Sequence, residues 1–184
     1  SVEPLTLNCN NRVEAVFKDG DNLYIGGVFN SVNDTPKGAA ACYDLANEEL
    51  SDWNPRLNSW CYAIGALDGT VILGGPFSQT DVQSRSRIAC VNLIDGTPNS
   101  FEVPNINGTV FAMDRYGDDL IFGGTFNSVN SESRPGLAAA NVESAELTDL
   151  ALTDVNNWIE DIKVVGDELF LAGRFTTINS TERG

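Results

Sequence analysis

The sequence predicts an all-β fold of the β-propeller class, and three observations carry that reading. A 26-residue pattern recurs four times at nearly constant spacing. Each copy holds a glycine-containing turn between two short apolar runs. No segment shows the 3.6-residue periodicity of an amphipathic helix.

The copies are Val13–Gly38, Cys61–Ser86, Val110–Pro135 and Ile159–Gly184, which align without a gap at offsets of 48, 49 and 49 residues. Each opens on a short apolar-rich strand, Val13-Glu14-Ala15-Val16-Phe17 in the first. A tight turn follows at Asp19-Gly20-Asp21-Asn22, Asp68-Gly69, Gly117-Asp118-Asp119 and Gly166-Asp167, residue types that tolerate positive φ. The second strand carries an unbroken apolar triplet, such as Leu23-Tyr24-Ile25 or Val71-Ile72-Leu73. That pattern predicts burial on both faces. The pair Gly26-Gly27 recurs as Gly74-Gly75, Gly123-Gly124 and Ala172-Gly173, where missing side chains admit a neighbouring backbone. Two residues on stands Phe29, Phe77, Phe126 or Phe175, expected to pack between adjacent sheets. A third strand is read at Ala40–Leu45, Ile88–Leu93 and Leu137–Val142, and a shorter, more polar fourth at Leu50–Asn54, Asn99–Val103 and Glu146–Leu150. A β-sandwich would need neither the constant spacing nor the repeated GG-x-F, and β-helix rungs are much shorter.

These units divide the chain into an outer strand of a preceding blade (1–11), three blades (12–60, 61–108, 109–157) and the first half of a further one (158–184). Leu5 takes the place of Trp53, Phe101 and Leu150. Fifteen strands are counted where four closed blades need sixteen, so the expectation is a segment of a longer propeller.

The formal charge is −15, with three lysines among eleven basic residues. So acidic a surface repels nucleic acid and anionic lipid, and no apolar run is long enough to span a membrane. Neither nucleic acid nor direct membrane insertion is expected. The N-terminal residues lack the basic and apolar regions of a signal peptide. Cys9, Cys42, Cys61 and Cys90 form no CxxC pair, and there is no histidine, so the usual zinc arrangements are not expected. An even count permits two disulfides, and cysteine usage leans towards an extracellular setting.

Candidate binding residues come from columns of the repeat. Lys37, Arg85, Arg134 and Arg183 form a basic column on the face that carries the second-to-third strand loops. It would suit a carboxylate, an anionic sugar or a partner's acidic side chains; the alternative is that each ties its own loop to a neighbouring blade's carbonyls or carboxylates. Trp60 and Trp158 fall at junctions between units, placed either to stack on sugars or to pack under loops. Asn33, Asn107 and Asn179 open N-x-S/T sequons, in a number that chance accounts for. The acidic turns Asp19/Asp21, Asp118/Asp119 and Asp167/Glu168 could hold calcium, but no calcium-loop consensus appears; no other cofactor is indicated. Without histidine or a G-x-S-x-G elbow, no catalytic residue is named.

Asp52-Trp53-Asn54-Pro55, Leu23–Val32 and Arg87–Asn92 resemble the W-N-P…Y-V-G-G-x-F…R-x-x-I-A-x-L-[DN] type of β-propeller repeat, over essentially the whole chain. Such repeats occur in secreted and surface proteins of bacteria and archaea, and similar ones in fungal cortical marker proteins. Later units depart from the pattern at Trp-Asn-Pro, and Asn33, Asp81, Asn130 and Asn179 replace the usual turn glycine. The resemblance implies the fold but no activity. The expectation is therefore a non-catalytic extracellular or cell-surface module that binds protein or carbohydrate, or assembles with further blades. The alternatives are a carboxylate-based glycoside hydrolase or lyase with its site at the central channel, and a structural spacer.

Overall fold

The computed structural model describes residues 5, 7–67 and 69–183. All regular structure among them is antiparallel β. The first unit holds β1 (Val13–Asp19), β2 (Asn22–Gly27), β3 (Ser31–Val32), β4 (Thr35–Pro36), β5 (Ala40–Asp44) and β6 (Glu49–Leu50). The second holds β7 (Ala63–Leu67), β8 (Thr70–Gly74), β9 (Gln79–Thr80), β10 (Gln83–Ser84) and β11 (Ile88–Asn92). The third holds β12 (Val110–Tyr116), β13 (Asp119–Gly124), β14 (Ser128–Val129), β15 (Glu132–Ser133), β16 (Leu137–Asn141) and β17 (Leu147–Ala151). The fourth holds β18 (Ile159–Val165), β19 (Glu168–Gly173), β20 (Thr177–Ile178) and β21 (Thr181–Glu182).

Units one and three are four-stranded sheets in the orders β1-β2-β5-β6 and β12-β13-β16-β17. Unit two is three-stranded, with a single Val91–Pro98 bridge where a fourth strand was expected. Unit four is the pair β18-β19. Each loop leading to the third strand closes in a two-residue ladder, β3-β4, β9-β10, β14-β15 or β20-β21, in addition to the strands that the sequence predicts. The turn that closes it uses Asn33, Asp81, Asn130 and Asn179, with φ of +47°, +50°, +49° and +49°. Asn and Asp reach this left-handed region at low cost, which is why they stand in for glycine there.

The paired glycines have two distinct neighbours. A Cβ on Gly26 would lie 2.7 Å from the Cys61 sulfur of the next unit, and one on Gly123 would lie 2.8 Å from Ile159 and Ile162. A Cβ on Gly27, Gly75, Gly124 or Gly173 would instead strike the carbonyl oxygen of Arg12, Trp60, Thr109 or Trp158, at the entry to the inner strand that it pairs with. In units one and three that collision falls beside a register shift in the inner strand, between Val13 and Ala15 and between Val110 and Ala112. The first glycine thus seats the next unit, and the second seats the inner strand of its own.

Core clusters lie between successive sheets. Tyr24, Trp53, Cys61, Val71 and Phe77 pack units one and two. Ile72, Phe101, Val110, Phe122 and Phe126 pack units two and three, and Ile121, Leu137, Ile159 and Ile162 pack units three and four. Phe77 and Phe126 are buried between sheets, as their column predicts. Unit four differs: Phe170 is 53% exposed, whereas its counterparts Tyr24, Ile72 and Ile121 are 0–4% exposed. The reason is that no third strand among the described residues pairs with β19. The proposed outer strand at 1–11 lies partly outside the described residues; of it, Leu5 is exposed and Cys9 bridges Val32.

Candidate functional site

The first strand of each unit is the inner one: β1 lies beside β7, β7 beside β12, and β12 beside β18. Their N-terminal ends converge on one shallow depression of about 300 Å³ lined by Glu14, Tyr62, Phe111 and Glu160. These four residues occupy the same column of the repeat, so the depression lies on the molecule's pseudo-symmetry axis. In units one, three and four this position, Glu14, Phe111 or Glu160, falls at the register shift of the inner strand, a bulge that re-aims its side chain. Two residues earlier, the column Arg12, Trp60, Thr109 and Trp158 forms an outer rim.

The aromatic side chains are continuous across the mouth. Trp60 meets Tyr62 at 6.0 Å between ring centroids, Tyr62 meets Phe111 at 5.3 Å, and Phe111 meets Trp158 at 6.2 Å. All three are edge-on or tilted contacts, the geometry that ring quadrupoles favour. Trp60 and Trp158 remain 50% and 42% exposed. The carboxylates flank this run from units one and four. Glu14 pairs with Arg12 at 3.0 Å and Glu160 with Arg174 at 2.7 Å, and the Arg174 guanidinium also covers the Trp158 ring at 5.1 Å. Burial pushes the Tyr62 phenol up, with Glu14 adding to the shift and Arg12 opposing it.

Below the mouth, Ala15, Ala63 and Ala112 lie beside Val16, Ile64 and Met113 in a space of about 480 Å³ that Glu14, Glu160 and Asp161, the fourth unit's counterpart of the alanines, also border. Deeper still, Asp114 of β12 accepts from Lys163 Nζ at 2.8 Å and from the Val164 N–H at 2.7 Å.

The basic column turns inwards to its own unit. Lys37 is 4% exposed and donates from Nζ to the carbonyls of Ser51 (2.7 Å) and Trp53 (3.1 Å). Arg85 donates to the Asn99 carbonyl at 2.6 Å, and Arg134 donates to the Thr148 carbonyl at 3.2 Å and pairs with Glu132. Each of the three thus ties the loop before the third strand to backbone fourteen or sixteen residues on, in the same unit, not to a neighbouring one. Arg183 is exposed.

The sequons divide by what their amides do. Asn33 Oδ1 accepts from the Asn8 N–H and Asn179 Oδ1 from the Thr153 N–H, both at 2.9 Å. Asn107 uses its whole amide: Oδ1 accepts from the Asn127 and Ser128 N–H groups, and Nδ2 donates to Asn127 Oδ1. Asn10, Asn58 and Asn156 make the same pattern, each accepting from two successive N–H groups of the loop after the glycine pair. This column was missed in the sequence reading although it was visible there, an Asn three residues before the start of every copy. It pins the Phe-bearing loop beside the mouth.

Among the described residues, no three Asp, Glu or Cys side chains converge to hold a metal ion. In the acidic turns, Asp118 pairs with Arg115 at 3.8 Å and Asp167 accepts from the Tyr116 hydroxyl at 2.8 Å. All four cysteines are free thiols, and burial pushes Cys61 and Cys90 up to about 12.

Comparison with known proteins gives a family-model match over a short stretch of the chain. Residues 67–101 match the family model described as "Domain of unknown function (DUF5122) beta-propeller". That stretch runs from the end of β7 through the third strand of unit two, and with the repeat it supports a β-propeller repeat fold. No curated protein gives a significant match. Two solved structures are similar across the chain. The crystal structure of the computationally designed Ika4 protein has a TM-score of 0.64 at 9% identity, with 91% of this chain and 88% of that one covered. The crystal structure of the computationally designed Ika8 protein has a TM-score of 0.62 at 10% identity, covering 92% of this chain and 47% of that one. At such identities the likeness speaks to fold alone.

Proposed function

We propose that the chain is part of a β-propeller of four-stranded blades, of the W-N-P / Y-V-G-G-x-F repeat type, that serves as a non-catalytic binding module. On this reading it acts outside the cell or at the cell surface and takes a protein or carbohydrate ligand at its axial mouth. The observation that carries the reading is the convergence of Glu14, Tyr62, Phe111 and Glu160 from four units on one depression, with exposed Trp60 and Trp158 on its rim. Large exposed aromatic rings on a soluble surface are costly to solvate, and when clustered in a concavity they mark recognition sites.

A hydrolase or lyase is the second reading, favoured by two carboxylates facing one depression. Each is already engaged by a guanidinium, at 3.0 and 2.7 Å, which suits holding a ligand better than transferring a proton. The test is a screen of immobilised glycans and proteins with the wild-type chain and the Tyr62→Ala/Phe111→Ala variant. A ligand retained by the wild type and lost by a variant of unchanged melting temperature supports the mouth as the site. Retention indifferent to both changes removes it. Hydrolysis of a captured glycan that stops in Glu160→Gln would transfer the case to the enzyme reading.

A further inference from the structure

We infer that the axial mouth takes an uncharged sugar: a pyranose of a neutral oligosaccharide, stacked on Trp60 and hydrogen-bonded through its hydroxyls by the Glu14–Arg12 and Glu160–Arg174 pairs. The inference rests on the reading of the mouth as a binding site and names the ligand class that site selects.

Charge decides the class. A cationic ligand would seek unpaired carboxylates, yet Glu14 and Glu160 each already face a guanidinium at 3.0 and 2.7 Å. An anionic ligand would seek unpaired guanidinia, and it would also approach a chain of net charge −15. Displacing either internal partner forfeits an ion pair to make another, with little net gain. A neutral polyol displaces neither. A carboxylate beside a guanidinium presents fixed acceptors next to fixed donors, the complement of neighbouring hydroxyls that each both donate and accept.

The apolar half of the ligand fits the other half of the mouth. One face of Trp158 is covered by Arg174 at 5.1 Å, and Tyr62 and Phe111 are turned edge to face, 5.3 Å apart. Trp60, 50% exposed and touching Tyr62 at 6.0 Å, is left as the projecting ring. A pyranose has one comparatively apolar face of C–H groups, whose desolvation against an indole is favourable while the rim hydroxyls stay polar. The depression, about 300 Å³, lies at the lower limit for ligand pockets, which suits one or two sugar rings and is too shallow for a helix or a folded loop. The four asparagines Asn10, Asn58, Asn107 and Asn156 fix the adjacent loops through backbone donors, so the rim is preorganised.

The experiment titrates neutral β-1,4-linked glucose and xylose hexamers, galacturonate hexamer and a lysine-rich peptide into the wild type, Trp60→Ala and Glu160→Gln, read by calorimetry. The expected result is binding of a neutral hexamer, weakened at least tenfold in Trp60→Ala and in Glu160→Gln, with no heat from the galacturonate or the peptide. Binding of galacturonate or peptide in preference, lost in Trp60→Ala, overturns the neutral-sugar class and leaves the mouth as a site. Binding that neither substitution alters, or no binding while a protein captured through Tyr62 and Phe111 still binds, also overturns it. Thermal melting of each variant separates loss of binding from loss of fold.

Discussion

The carboxylate of Asp114 on β12 binds Lys163 on β18 at 2.8 Å and caps the Val164 N–H at 2.7 Å, joining the inner strands of units three and four in the channel wall. Burial opposes ionisation of Asp114. The Lys163 ammonium, the Val164 and Arg115 N–H groups and the charge of Lys163 outweigh it and hold the carboxyl below its ordinary value of 3.8. A carboxyl depressed in the folded state stabilises it above the unfolded pKa, and that stabilisation is lost as pH falls through the folded value. Asp114→Asn is therefore expected to be less stable than wild type at pH 7, with the difference shrinking below about pH 4. Urea unfolding at pH 7 and pH 3 checks it; a difference that stays constant with pH contradicts the pairing.

Lys37 and Arg85 bear on stability before ligand. Removing Lys37 leaves the Ser51 and Trp53 carbonyls without their donor in a largely dry site. Lys37→Ala is expected to cost about 1–3 kcal/mol, and Arg183→Ala, on an exposed side chain, less than about 0.5 kcal/mol. Equal effects in denaturant titration would restore the basic column as a surface feature.

The repeat was legible because it is written in residue types that backbone geometry demands: turn glycines, the glycine pair, and Asn or Asp at positive φ. The two-residue ladders were not legible, since pairs such as Ser31-Val32 and Thr35-Pro36 are too short to show a period. At the site, Trp60 and Trp158 could be singled out as aromatics at unit junctions. Glu14, Tyr62, Phe111 and Glu160 could not, because their chemistry differs from unit to unit and only the shared axis brings them together. A tethering role for Lys37 and Arg85 was legible, because a charge repeated in every unit is what a structural tie requires; that the tie closes on backbone of the same unit, not of a neighbouring one, was not.

The sequons make a separable prediction. A glycan on Asn107 would consume the Nδ2 group that donates to Asn127 Oδ1 at 2.6 Å, whereas Asn33 and Asn179 use their Oδ1 as acceptor. Expressed through a secretory pathway, the chain is expected to carry glycans at Asn33 or Asn179 in preference to Asn107. Peptide mapping after deglycosylation checks the order; dominant occupancy of Asn107 would show that its loop is not pinned as described.

Burial contrast gives the fourth prediction. Ile121 is 4% exposed and its counterpart Phe170 is 53% exposed. Ile121→Ser is expected to cost about 3 kcal/mol or more and Phe170→Ser less than about 1 kcal/mol. Comparable losses in thermal unfolding would mean that something covers β19 in solution.

The central claim, that the axial mouth binds a neutral sugar, is tested most directly by the three tryptophan indole N–H signals in a nitrogen-15 NMR titration with the neutral hexamers. Trp53 is buried and donates from Nε1 to the Asn92 carbonyl at 2.8 Å, while Trp60 and Trp158 stand on the rim. The account predicts that the Trp60 and Trp158 signals move with added sugar and the Trp53 signal stays. Three stationary signals, or movement of Trp53 alone, would contradict it.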